Sequence, residues 1–263
     1  QEGNAVLIYF TAYKQKGRIA DGCALLEAFI QRKPDTPEAA KAKLELVNAA
    51  LAGEDYAAAK ERLKQLLAMP NVAANIGQEA FVESHYNAAA VAVRLNEPVS
   101  AVSALSNIRN LKPDKAMLGK AMLLLGQVYA QSNDWANAAS AWTEALAQGG
   151  GNEPDLRDRL GRALVAAGKP AEAKVQFEAL AKAAGGADKM KMETREAWAR
   201  ALYGLSDFAG AGAIYQEMYG SAGTMPMYAY ECAVCMERAE KWSDAEKWYL
   251  LAEKGRDKLS ADY

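Results

Sequence analysis

Several things are scarce in this chain of 263 residues. There are three cysteines, an odd number that excludes a closed disulfide framework, and a chain of this length does not need one. By itself that count points to a reducing compartment. There is one histidine, so any Ser-His-Asp or Cys-His device would have to use His85. Thirty-three acids offset thirty-one bases, and the formal charge of −2 signals neither a nucleic acid nor an anionic membrane. No apolar run approaches the roughly 18 residues that span a bilayer. The first residue is Gln, so the expectation is a processed product, with any signal peptide or anchor upstream. Strand-like alternation of useful length is missing too. All eight prolines fall at expected helix edges or in loops.

What is present is a repeated pattern. Residues 124–146 read LLGQVYAQSNDWANAASAWTEAL. Leu125, Gly126 and Tyr129 share one face of a first helix, and Trp135, Ala138, Trp142 and Ala145 share one face of a second. Helices that pack closely need small residues at the crossing and large ones beside it. The second-helix pattern recurs, starting at Ile19, Tyr56, Pro98, Trp135, Pro170, Phe208 and Trp242. Its small residue stands at 22, 59, 101, 138, 173, 211 and 245, at intervals of 37, 42, 37, 35, 38 and 34. A partner helix precedes each, over roughly 4–16, 38–52, 79–95, 117–131, 155–167, 192–204 and 227–239. Short breaks rich in Gly, Asn, Asp and Ser join the partners, at Gly17, Glu54, Asn96, Asn133, Gly168, Ser206 and Lys241. The chain reads as about fourteen helices in antiparallel pairs.

Period and residue classes resemble the tetratricopeptide repeat, of about 34 residues. The fourth unit carries the fullest signature in Leu125, Gly126, Tyr129, Trp135, Ala138, Trp142 and Ala145; the fifth keeps Leu160, Gly161, Gly168, Ala173 and Phe177. The first three depart furthest, and the third has Ala89 in the glycine slot. The resemblance implies an all-α fold, a right-handed superhelical solenoid of antiparallel helix pairs. It implies a single array over 1–263, in units of approximately 3–36, 38–70, 79–113, 117–150, 154–186, 192–222 and 226–258. Each unit would complete its neighbour's core.

Candidate chemistry has a packing explanation in each case. Cys232-Ala-Val-Cys235 has the spacing of a redox pair or half a zinc site, but the other half is missing. Cys232 holds the slot of Leu125, and a free cysteine packs as a small hydrophobe. His85 has no motif around it. Gly149-Gly150-Gly151 follows a helix and precedes Asn152-Glu153-Pro154, which makes it an inter-unit loop and not a phosphate cradle. The expectation is no enzyme, no catalytic residue, no metal and no cofactor.

The family holds a peptide or partner protein on the groove lined by first helices. The resemblance places groove positions at Asn48, Tyr86, Asn87, Lys120 and Gln127, then at Arg159, Arg162, Arg200, Tyr203 and Tyr230. Asn48, Asn87 and Lys120 match part of a carboxylate clamp, but Leu44 and Leu124 stand where two further basic residues belong. The arginines could read acidic groups. Equally, Asp155, Asp158 and Glu196 stand four residues before Arg159, Arg162 and Arg200, the favourable order for local ion pairs.

Trp242, Trp248, Tyr249 and Leu251 stand close to the last residues with no polar capping helix evident, so a buried contact is expected there, in a homodimer through the C-terminal helix pair or in an extended array. The expected role is a protein–protein interaction scaffold or adaptor. The alanine-rich composition and the resemblance to bacterial envelope arrays favour envelope or periplasm over cytoplasm. The alternative is an intracellular regulatory or ligand-sensing module of a larger protein.

Overall fold

A computed structural model describes residues 2–221 and 225–255. Among them are fifteen α-helices, two short 3₁₀ turns and no strand. In chain order fourteen of the helices alternate as first and second helices of seven repeats. These are α1 (Glu2–Gln15) with α2 (Ile19–Arg32), α3 (Pro37–Ala52) with α4 (Tyr56–Leu67), and α6 (Gln78–Arg94) with α7 (Pro98–Asn107). Next come α8 (Lys115–Gln131) with α9 (Trp135–Ala147) and α10 (Glu153–Ala166) with α11 (Pro170–Ala184). Last are α12 (Met192–Gly204) with α13 (Phe208–Ser221), and α14 (Pro226–Arg238) with α15 (Trp242–Glu253). All seven second helices begin at the residue that opens the repeated pattern.

One helix was not anticipated. The five-residue α5 (Val72–Ile76) follows α4 and packs on α3 and α6. It accounts for the long interval of 42: extra chain was inserted between pairs, and Val72 buries it against the core. Five residues are too few for a helical period to show in sequence.

The turns inside the pairs share one geometry. Gly17, Glu54, Asn96, Asn133, Gly168, Ser206 and Glu240 are all left-handed, with φ between 55° and 72°. Each stands five residues before the small residue of its second helix. The next residue's N–H donates back to the carbonyl five positions earlier, as in Asp55 to Ala50 and Lys241 to Met236, at 2.8–3.0 Å in all seven turns. This is the Schellman closure, which satisfies carbonyls left over at a helix end. In the last turn the left-handed residue is Glu240, one before the expected Lys241.

Helix starts are equally local. Thr36, Asp55, Asp134 and Asn152 accept a bond from the backbone N–H three residues on. Pro37, Pro98, Pro154, Pro170 and Pro226 sit in first turns, where no N–H is needed.

The chain divides into two compact units, 1–128 and 129–263, with the boundary inside α8. In the first, one core runs from Val6 and Phe10 through Leu26, Phe29 and Leu46 to Leu63 and Leu66. In the second, a cluster joins Leu202, Tyr215 and Met218 to Tyr228, Cys232 and Cys235. The seven small second-helix residues, Gly22 through Ala245, are all buried. Trp248 packs edge-on against Tyr219 at 5.5 Å and is half-buried within its own unit. Residues 256–258, the end of the last expected unit, lie outside the described residues.

Candidate functional site

First helices put the candidate residues in a common register. In four of them, a small or slim residue twelve positions before the second-helix alanine is buried: Val47, Gly126, Gly161 and Ala199. The next residue turns outward. Asn48, Gln127, Arg162 and Arg200 all occupy that position, and all four are exposed. Tyr86 and Tyr230 both stand three residues before their units' buried alanines, Ala89 and Ala233, and both are half-buried. A helix face sampled at these offsets is one stripe, repeated from pair to pair.

In the first unit, Asn48 on α3 and Asn87 on α6 make no side-chain hydrogen bond among the described residues. Burial pushes the Tyr86 phenol pKa upward. Leu44 packs on the core, so this position of the carboxylate clamp is apolar in space as well as in sequence. Lys120 lines a cleft of about 450 Å³ with Glu79, Val82 and Glu83 of α6 and Lys112 and Met117. The structure thus brings Lys120 to the first turns of α6, one turn away from Tyr86 and Asn87. The acids Glu79 and Glu83 had not been singled out, although Glu83 stands three before Tyr86 on the same stripe.

The second unit separates the three arginines. Arg200 pairs with Glu196 on its own helix. Burial lowers its pKa, but Glu196, Tyr215 and Glu231 outweigh this and leave it raised. Arg162 reaches Asp158 at 3.9 Å, the loose limit of an ion pair. Arg159 has no ion pair among the described residues, because Asp155 binds Lys191 at 3.4 Å instead. Asp158 also accepts from the Thr194 hydroxyl at 2.8 Å. The expected local pair is therefore formed at Arg200, loose at Arg162 and replaced at Arg159. The winning contacts run from α10 to the start of α12 and the residue before it, over a separation of 36 residues. Tyr203 packs edge-on to Phe208 at 5.1 Å and Tyr230 to Tyr249 at 5.7 Å. Tyr249 also interacts electrostatically with Tyr203, so the three tyrosines share one region.

The other chemical candidates are packing residues. His85 lies edge-on to Phe81 at 4.7 Å, and burial pushes its pKa down. Cys232 and Cys235 are buried, and burial pushes both thiols up to about 12, far from a reactive thiolate. The Cys232 Sγ lies 3.5 Å from the Gly212 carbonyl.

Seven turns of one geometry now stand beside a family match. Residues 10–59 match the model described as a tetratricopeptide repeat. The chain has the tetratricopeptide-repeat fold. The match falls on the first two pairs, whose signature residues depart furthest, and not on the fourth, where they are fullest. Solved structures of the same fold agree. YrrB, described as a tetratricopeptide protein with an unusual peptide-binding site, superposes with a TM-score of 0.54 at 19% identity, over 66% of this chain and 86% of its own. MamA of AMB-1 gives 0.54 at 16% identity, over 69% and 94%. A MamA fragment from Desulfovibrio magneticus RS-1 gives 0.52 at 14%, over 68% and 97%. No curated protein matches the chain. Among the described residues, no helix is long and apolar enough to cross a membrane.

Proposed function

We propose that this chain is a non-catalytic adaptor that holds an extended peptide or a partner segment on its first-helix face, and that it serves bacterial envelope assembly. One observation carries the reading. The residue after the buried crossing residue is polar and exposed on α3, α8, α10 and α12, as Asn48, Gln127, Arg162 and Arg200. A peptide backbone offers donors and acceptors at regular steps, and amide side chains answer both. Asn48, Lys120, Gln127 and Arg159 also hold no side-chain partner among the described residues, so binding costs no internal bond at these positions. Tyr203 and Tyr230 add aromatic surface, which binds at low entropic cost. The description of YrrB, a neighbour in fold, includes a peptide-binding site.

The test is an affinity pull-down from lysate of the source organism, with wild type against a variant carrying Asn48→Ala, Asn87→Ala and Arg162→Ala. All three side chains lie outside the buried core, so the variant is expected to keep its helical circular dichroism. A protein retained by wild type and lost by the folded variant supports the reading. Equal retention by both moves the site off this face.

A further inference from the structure

Two of the exposed large apolar side chains of the second unit stand on α15. Trp242 is 65% exposed and Leu250 51%. With Tyr249 and Ala245 they floor an open depression of about 490 Å³, whose rim includes Glu246 and Glu253. Neither carboxylate has an ion pair or hydrogen bond among the described residues.

The repeat itself shows what such a surface is built to seat. A shift of 34 residues carries α15 onto α13: Trp242 onto Phe208, Ala245 onto Ala211, Glu246 onto Gly212 and Tyr249 onto Tyr215. On α13 this surface is covered by α14. Tyr228 stacks on Tyr215 at 6.5 Å between ring centres. Four residues later the Cys232 Sγ meets the Gly212 carbonyl. Seven and eight residues after Tyr228, Cys235 and Met236 close over Gly212, where a Cβ would come within 3.3 and 3.1 Å of them. The α15 surface keeps the aromatic and alanine positions of that seat. It changes the glycine opposite Cys235 and Met236 into Glu246.

We propose that α15 seats an amphipathic helix of a partner protein, antiparallel to it, with an apolar or aromatic residue over Tyr249 and Lys or Arg seven or eight residues later over Glu246. An apolar residue there would strip water from an unpaired carboxylate and give it no partner in exchange. A cation resolves that cost and selects its partner by charge. Glu253, one turn further along α15 than Tyr249, extends the same preference to a base near the start of the incoming helix. This surface meets the first-helix face at Tyr249, which packs on Tyr230, but the Glu246 preference does not depend on what that face binds.

The test uses a fluorescently labelled, helix-stapled peptide with the sequence of α14, Pro226–Arg238, carrying Cys235→Lys and Met236→Lys. Its anisotropy is titrated with the whole chain. The lysine peptide is expected to bind at least tenfold tighter than the unsubstituted peptide. Glu246→Lys in the protein should remove that advantage, and a peptide with Glu at both positions should recover it. Glu246 is exposed, and a helical circular dichroism spectrum checks that the variant folds. Equal binding of the lysine and unsubstituted peptides, or no effect of Glu246→Lys, overturns the proposal. Sedimentation showing a dimer that Trp242→Asp dissociates would assign the seat to a second copy and overturn it as well. So would an increase in peptide binding on deletion of residues 256–263, which would assign it to the chain's own tail.

Discussion

The first and fifth helix pairs solve the same crossing with the sizes reversed. In the fifth, the first helix carries the glycine and the second the phenylalanine: a Cβ on Gly161 would lie 2.6 Å from the Phe177 ring. In the first, the first helix carries Phe10 and the second Gly22, whose Cβ would lie 2.9 Å from that ring. Both rings are buried. What repeats is therefore a sum of sizes across the crossing, not a residue at a position. A pattern tied to small-on-first-helix reads the fifth pair as faithful and the first as degenerate, yet both are filled. Close packing makes either assignment stable and a mixture of them unstable.

The largest effects should come from emptying a crossing. Phe177→Ala is expected to cost about 3–5 kcal/mol in urea unfolding, and Phe10→Ala a comparable amount if the two crossings are equivalent. A far smaller cost at Phe10 would break the comparison. Overfilling comes next. Gly161→Ala should destabilise by about 1–3 kcal/mol, and Gly22→Ala by less, since its gap to the ring is wider.

Arg195 sharpens the contrast in another way. It is 3% exposed, and its Nε has no hydrogen-bond partner; its Nη1 reaches Ser221 at 3.3 Å and its Nη2 lies 3.6 Å from Glu217. A buried cation so thinly paired returns little stability, so Arg195→Met is expected to hold or raise the melting temperature. A drop of several degrees would show that the ion pair matters more than its geometry suggests.

The turns give a smaller effect. The first and fifth pairs turn on Gly17 and Gly168, whereas the second, sixth and seventh place Glu54, Ser206 and Glu240 in the same left-handed conformation. Replacing Glu54 or Glu240 by glycine should stabilise by up to about 1 kcal/mol, while Gly17→Ala and Gly168→Ala should destabilise by about the same.

The last prediction concerns thiols. Cys23 of the first pair is partly accessible, and Cys232 and Cys235 are buried. One thiol per chain should react with Ellman's reagent under native conditions, and three after unfolding. The buried pair also sets a pH dependence. Unfolded thiols ionise near their ordinary value of 9.0, while the folded ones stay protonated until about 12. Stability from this pair is fully present below pH 9 and falls as pH rises through that window.

Much of this fold was legible because it is local. Helix starts follow from Pro, Asp, Thr and aromatic residues at fixed offsets, and the small residues at 22 to 245 mark every crossing. The candidate face was legible in part. The exposed register of Asn48, Gln127, Arg162 and Arg200 follows from the helical period. The pairing of Asp155 with Lys191 does not, because it is decided by which side chain of the next repeat lies nearer. The half-burial of Trp248 was missed for the same reason: its cover, Tyr219, comes from the preceding pair. The short helix α5 left no periodic trace at all.

The most direct test of size complementarity is a double-mutant cycle at the fifth crossing, with Gly161→Ala, Phe177→Leu and the two combined. The account predicts that the cost of Gly161→Ala falls sharply once the ring is gone, with a coupling of about 1 kcal/mol or more. Costs that add within about 0.5 kcal/mol would contradict it, and would mean that glycine is there for its backbone and not for the ring it faces.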